Sequence, residues 1–227
     1  MLRPDELQLG RGEPISDTGR VLSTYVDAIA IRTFAQSDVD ELAEAAGVPV
    51  INALTDLHHP CQALADLLTL RERFGALDGL KLAYVGDANN VLNSLMEAAA
   101  LVGMELVAAT PEGYRPDPAI AGGAQVVADP AEAVEGAHAV YTDVWVSMGE
   151  EAEREQRLND LRAYQVTQQL MLGARSDAVF MHCLPAHRGQ EVAAEVIDGP
   201  QSVVFKQAGN RLPTEQALIQ TLIEGWR

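Results

Sequence analysis

The chain has 227 residues, 48% of them apolar, a formal net charge of −17 and two cysteines. That length holds one large domain or two modest ones, each with its own core. The acidic balance argues against a nucleic-acid partner, because a phosphate backbone needs a basic footprint. No apolar run approaches the roughly 20 residues of a membrane helix, and Met1-Leu2-Arg3-Pro4-Asp5-Glu6 lacks the apolar stretch of a signal peptide. A soluble cytoplasmic protein with no membrane association is expected. Cys61 and Cys183 lie far apart, and neither a CxxC nor a Cys/His spacing points to a metal.

Short β-branched runs alternate with helical patterns, as in parallel α/β layering. Residues 17–25 read as a helix and Ala28-Ile29-Ala30-Ile31 as a buried strand. Ser37 is expected to cap a helix that Gly47 stops, with Val48-Pro49-Val50-Ile51 as the next strand. After a turn-like stretch at 52–57 comes a long amphipathic helix over 60–74, with Pro60 in its first turn. A second series begins at Gly79. Its strands are expected at 82–85, 106–109, 125–127, 139–142, 178–181 and 203–205, with a helix over 91–102 between the first two. Pro213 is read as the first turn of a last helix over 214–226.

The first section has too few strand–helix pairs for an independent doubly wound domain, and the second has enough. The expected class is therefore α/β with two parallel-sheet domains, the first truncated and the second a complete doubly wound, Rossmann-like domain. Boundaries are expected at 1–57, 58–210 and 211–227, the last segment being a helix that packs back on the first domain. The charged run 149–162 reads as a solvated helix with its preceding loop.

In doubly wound sheets, ligands bind beyond the carboxyl ends of the strands. Chemistry-bearing residues gather there: Arg32 after Ile31; Asp87, Asn89 and Asn90 after Val85; Asp143 after Thr142; and His182-Cys183-Leu184-Pro185 after Met181. Gly86-Asp87-Ala88-Asn89-Asn90 lacks the further glycines of a dinucleotide loop, so no such cofactor is expected. Taken singly, His58, Cys61 and His187 read as structural or surface residues.

The ordered strings are more specific. His59-Pro60-Cys61-Gln62, Asp143-Val144-Trp145-Val146-Ser147-Met148-Gly149, His182-Cys183-Leu184-Pro185 and Asn210-Arg211 closely resemble the ornithine carbamoyltransferase family. His-Pro-x-Gln is shared across carbamoyltransferases; Asp-x-Trp-x-Ser-Met-Gly with His-Cys-Leu-Pro is narrower and resembles the enzymes acting on ornithine. The resemblance implies that Arg32, His59, Gln62, Cys183, Leu184 and Arg211 hold carbamoyl phosphate, with His59 aimed at the carbamoyl oxygen. It implies that Asn90, Asp143, Ser147 and Met148 hold the α-amino and α-carboxylate groups of ornithine. Cys183, His59 and Asp143 become the expected catalytic set, and neither metal nor cofactor is implied. A homotrimer, or a multiple of one, and a place in arginine biosynthesis follow from the same resemblance.

The attacking δ-amine is the chemical difficulty. A lysine-like amine titrates near about 10.4, so losing its proton near neutral pH costs about 3 pK units, roughly 4 kcal/mol. Asp143 and Cys183 are expected to orient and deprotonate it, and desolvation between closing domains to lower the cost. The family's Ser-x-Arg-Thr-Arg phosphate loop has no counterpart here, so the chain as given is expected to turn over little alone. A non-catalytic module keeping the ornithine pocket, or a carbamoyltransferase for another amine, are the alternatives.

Overall fold

The computed structural model of the chain describes residues 12–120, 122–146 and 151–226. The chain divides into two compact units, Met1–Cys61 with Leu212–Arg227, and Gln62–Arg211. Each carries a parallel sheet, as the alternating pattern predicts.

The first unit contains α1 (Ile15–Leu22), β1 (Ile29–Arg32), α2 (Gln36–Ala45) and β2 (Val50–Leu54). β1 and β2 pair in parallel, Ile29 opposite Val50, over a core holding Ile29, Val39, Leu42 and Ile51. Gly19 lets α1 lie against α2: a Cβ there would stand 3.2 Å from both the carbonyl oxygen and Cδ1 of Leu42. Two expectations are corrected. Ser37 is not a cap, because α2 already starts at Gln36 behind Ala35, with no side-chain cap. β2 also runs on through Leu54, since pairing continues to Arg32, and this absorbs half of the expected turn.

Helix α3 (Pro60–Phe74) has the bounds its sequence predicts, and the division between the units falls near its start. The second unit continues through β3 (Lys81–Val85), α4 (Asn90–Val102), β4 (Glu105–Ala109), β5 (Gln125–Val127), α5 (Pro130–Val134) and β6 (Ala139–Tyr141). Then follow α6 (Arg154–Asp160), α7 (Gln168–Met171), β7 (Val179–Met181), α8 (Ala194–Ile197) and α9 (Val204–Trp226). The strands lie in the order β5-β4-β3-β6-β7, all parallel.

Such a sheet is covered on both faces, which is why its strands are apolar almost throughout. Ala83, Val85, Val107, Val140 and Phe180 pack with Val134, Met171 and Ile197 on one side. The alternate residues Leu82, Tyr84, Leu106, Tyr141 and Met181 pack with Leu70, Leu92 and Leu95 on the other.

The C-terminal segment departs from expectation. Residues 203–205 form no strand: only an isolated bridge from Phe180 to Ser202 extends the sheet, and α9 starts at Val204. Buried Val204, Gln207 and Asn210 recur at helical spacing. Asn210 Nδ2 donates to Thr69 Oγ1 at 2.9 Å and to Glu72 Oε2 at 2.8 Å, tying the start of α9 to α3. Pro213 lies inside α9 rather than opening it. Its missing N–H would have bonded the Gly209 carbonyl, one hydrogen bond fewer in an otherwise continuous helix.

Candidate active site

From β3 the chain winds outward one way to β4 and β5, while β6 lies on the other side of β3. The carboxyl ends of β3 and β6 therefore flank the point where the winding reverses. Thr142 Oγ1 donates to the Val85 carbonyl at 2.7 Å and joins those two ends. Gly86 turns the chain there with φ +135°, where a Cβ would meet Thr142 Oγ1 and Trp145 Nε1 at 3.5 Å.

Asp143 is buried at this point and takes three hydrogen bonds. Oδ1 accepts from the Val144 N–H at 2.8 Å and the Cys183 thiol at 2.9 Å; Oδ2 accepts from Asn89 Nδ2 at 2.6 Å. Asn89 is itself held, since its Oδ1 caps α4 by accepting from the N–H groups of Val91 and Leu92. Burial, and then the Asp143 charge, push the Cys183 thiol well above its ordinary value. Cys183 is therefore a proton donor in this arrangement, which corrects the expectation that it helps to deprotonate the amine.

The Cys183 loop is braced from beneath. Leu184 adopts φ 56°, a left-handed conformation that costs a leucine about 1–2 kcal/mol. Its N–H donates to His182 Nδ1 at 2.9 Å. The His182 proton must then sit on Nε2, which faces Oε1 of the fully buried Glu191 across 3.4 Å.

A second network links α3 and α9. Arg211 Nη1 donates to Gln62 Oε1 at 3.2 Å, and Gln62 Nε2 donates to Asp66 Oδ1 at 2.8 Å. Gln207 Nε2 donates to the same Asp66 oxygen at 2.7 Å, and Gln207 Oε1 accepts the His182 N–H at 3.0 Å. Burial pushes the Asp66 carboxyl up to about 7, against the opposing pull of Gln62, Gln207, Tyr141 and Arg211.

The structure thus brings together Asp143 with Cys183, and Gln62 with Arg211. Asn90 is the first residue of α4 and half-buried, and Leu184 follows Cys183 in the same loop. In the first unit, Arg32 ends β1 with its side chain exposed, and His59 is buried just before α3. Ser147 and Met148 lie outside the described residues. Ligating atoms of Asp143, His182 and Cys183 fall within 4.8 Å of one another. Asp143 and Cys183 are already joined by a hydrogen bond, His182 Nδ1 accepts the Leu184 N–H, and a metal would need the thiolate that burial disfavours.

Sequence reasoning placed Asn89 at a strand end without giving it a role, and missed Asp66, Gln207, Glu191 and Arg157. Arg157 belongs to the run expected to be solvated, yet it is 7% exposed. It pairs with the Asp87 carboxylate, donates through Nε to the Trp145 carbonyl at 2.6 Å, and lies over the Tyr114 ring. Buried Leu161, one helical turn on, was the available signal that this face of the run turns inward.

The Asp/Orn binding domain of aspartate/ornithine carbamoyltransferase matches residues 78–222, and the carbamoyl-P binding domain of the same family matches residues 1–72. An ornithine carbamoyltransferase of Symbiobacterium thermophilum is 60% identical over 98% of this chain and 75% of its own length. One from Gloeobacter violaceus is 53% identical over 99% of this chain and 75% of its own. Among solved structures, ornithine carbamoyltransferase from Pyrococcus furiosus superposes with a TM-score of 0.91 at 51% identity, over 97% of this chain and 74% of that one.

Proposed function

This chain belongs to the aspartate/ornithine carbamoyltransferase family, and from that membership we propose how its own residues serve the reaction. The reaction is transfer of the carbamoyl group of carbamoyl phosphate to the δ-amine of L-ornithine, giving L-citrulline and phosphate. One observation carries the residue assignment: the Asp143 carboxylate, held by Asn89, Val144 and Cys183 at the reversal point of the sheet.

A carboxylate offers about four acceptor positions, two on each oxygen. Oδ1 of Asp143 has both filled, while Oδ2 has one filled, by Asn89. The remaining position on Oδ2 suits the α-ammonium group of ornithine. Asn90, Ser147 and the Met148 backbone are assigned to the α-carboxylate and its surroundings. Arg32, His59, Gln62 and Arg211 are assigned to carbamoyl phosphate, since guanidinium forks match phosphate oxygens and a His N–H stabilises charge growing on a carbonyl oxygen. Cys183 and Leu184 are assigned to the junction of the two substrates. Transfer is direct: the neutral amine forms the N–C bond, the C–O bond to phosphate breaks, and the proton shed by the nitrogen goes to the departing phosphate. Ornithine is a net cation at neutral pH, so the −17 field draws it in.

The direct test is citrulline formation by the full-length protein, with ornithine compared against putrescine. Putrescine offers Asp143 and Asn90 neither α-group, so ornithine should be favoured at least about 100-fold in kcat/KM. Equal use of the two amines would sink the assignment. The family resemblance also supports a cytoplasmic homotrimer or a multiple of one, which sedimentation of the full-length protein measures. In the described residues, no helix is long and apolar enough to cross a membrane.

A further inference from the structure

The geometry points to Asp66 as a positioning residue for carbamoyl transfer: one buried carboxyl oxygen orients both the Gln62 amide that meets Arg211 and the Gln207 amide that holds the main chain at His182. This rests on the reaction proposed above.

A glutamine amide has two ends of nearly equal size, so neighbouring charges decide which way it faces. Gln62 has the Asp66 carboxyl at one end and the Arg211 guanidinium at the other. Reversing it would set a carbonyl against the carboxylate and an NH2 against the guanidinium, two repulsions. Asp66 therefore presents the Gln62 carbonyl outward, with a second lone pair left for an N–H of the carbamoyl group. The same oxygen treats Gln207 alike. Its NH2 is drawn to Asp66 and to the Tyr141 hydroxyl at 3.1 Å, and its carbonyl takes the His182 N–H. His182 in turn accepts the Leu184 N–H. The phosphate side and the Cys183 loop of the second unit thus share one anchor.

That anchor is supported on one side only. Both amides converge on Oδ1, and Oδ2 has no hydrogen-bond partner among the described residues. The titratable and charged groups facing it are Tyr141 at the end of β6, Arg211 on α9 and the Cys183 thiol beyond β7. Its own helix contributes the neutral Gln62. With the carboxyl lifted to about 7, its charge changes near neutral pH. Ionised, Asp66 makes charge-assisted bonds to both amides, roughly twice as strong as neutral ones.

Asp66→Asn and Asp66→Ala in the full-length protein test this. The asparagine keeps an Oδ1 for the two amides and does not ionise. The ratio of kcat/KM for carbamoyl phosphate, wild type over Asp66→Asn, cancels titration of the substrate itself. It should rise about five-fold from about pH 6 to about pH 8, the difference between one charge-assisted hydrogen bond and one neutral one. Asp66→Ala should lose at least about 30-fold, more through KM than kcat, because Gln62 loses its orientation before chemistry begins. A level ratio overturns the assignment, and so does a folded alanine variant with wild-type constants. Should the alanine variant fail to fold, the asparagine ratio still decides.

A second readout is independent of turnover. The side-chain amide NMR signals of Gln62 and Gln207 should move together with a midpoint near about 7 in wild type and stay still in Asp66→Asn. Signals that move separately, or not at all, overturn the shared anchor. A wild-type protein that makes no citrulline would refute the proposed reaction instead, and the amide signals would then decide the anchor alone.

Discussion

Asp143 sits where β6 ends and takes three hydrogen bonds spread over both its oxygens, whereas Asp66 sits in the middle of α3 and takes two amides on one oxygen. Both are buried in the same unit. Two of the Asp143 donors are anchored in the backbone frame, the Val144 N–H directly and Asn89 through the cap of α4. The Asp66 donors are side chains whose far ends reach Arg211 and His182. The first arrangement fixes a carboxylate and leaves one acceptor position for a ligand. The second leaves nothing open to solvent and uses the carboxyl to fix its neighbours. Burial alone does not tell a binding carboxylate from a positioning one; the distribution of its donors does.

The sharpest way to break that contrast is Asp143→Asn. The carboxamide loses the charge, and its NH2 must face one of three groups that are themselves donors. We expect kcat/KM for ornithine to fall on the order of 1,000-fold, equivalent to about 4 kcal/mol. Carbamoyl phosphate affinity, measured by calorimetry, should change less than about three-fold, since the lost charge faces the amino acid. Comparable losses for both ligands would mean that Asp143 supports the whole unit, as Asp66 does.

The next effect belongs to Asp66 and concerns stability. Its carboxyl titrates at 3.8 when unperturbed and at about 7 in the fold, raised chiefly by burial. The folded state thus holds the proton more tightly than the unfolded chain. That advantage is complete below the unfolded value and is lost as pH rises through about 7. Asp66→Asn removes the ionisation from both states. Relative to wild type, the variant should therefore gain roughly 2–3 kcal/mol of stability between about pH 5 and about pH 8. Urea unfolding at the two pH values measures this, and a difference independent of pH would show that the carboxyl keeps its ordinary titration.

These two carboxyls were not equally legible in the sequence. Asp143 stands at the end of an apolar run beside an unusual tryptophan loop, and strand ends are where doubly wound sheets place their sites. Asp66 reads as one charge on an amphipathic helix. Its only local sign is the four-residue spacing from Gln62, which sets both on one helix face. Its other partner, Gln207, is 141 residues away, and no local pattern reports such a contact.

The same division runs through the fold. The strands around β3 and the bounds of α3 follow from local apolar periodicity and were legible. The run Val203-Val204-Phe205 was not, because three apolar residues fit either a strand or the first turn of a helix. There the burial of Gln207 and Asn210, two polar residues, decides the period. Pro213 misled for a related reason: local preference puts proline in a first turn, while the helix on either side of it continues. Arg157 was hidden among exposed charges because its partners, Asp87 and the Trp145 carbonyl, lie in other parts of the chain.

The smallest expected effect separates the two duties of Asn89. Its Oδ1 caps α4 through the N–H groups of Val91 and Leu92 at 3.0 and 3.2 Å, and its Nδ2 donates to Asp143 at 2.6 Å. Asn89→Ser keeps a capping oxygen but is too short to reach Asp143, and Asn89→Ala keeps neither. Loss of the cap costs about 1 kcal/mol, so the alanine variant should melt a few degrees lower while the serine variant stays near wild type. Both should lower kcat/KM for ornithine about five- to ten-fold, since Asp143 loses one of three donors and its Oδ2 is free to turn from the ammonium. If the serine variant binds ornithine as wild type does, Val144 and Cys183 suffice to aim the carboxylate, and Asn89 is only a cap. If the alanine variant alone loses ornithine, the start of α4 shapes the pocket through its backbone, and the contrast between the two carboxyls rests on helix position rather than on donor count.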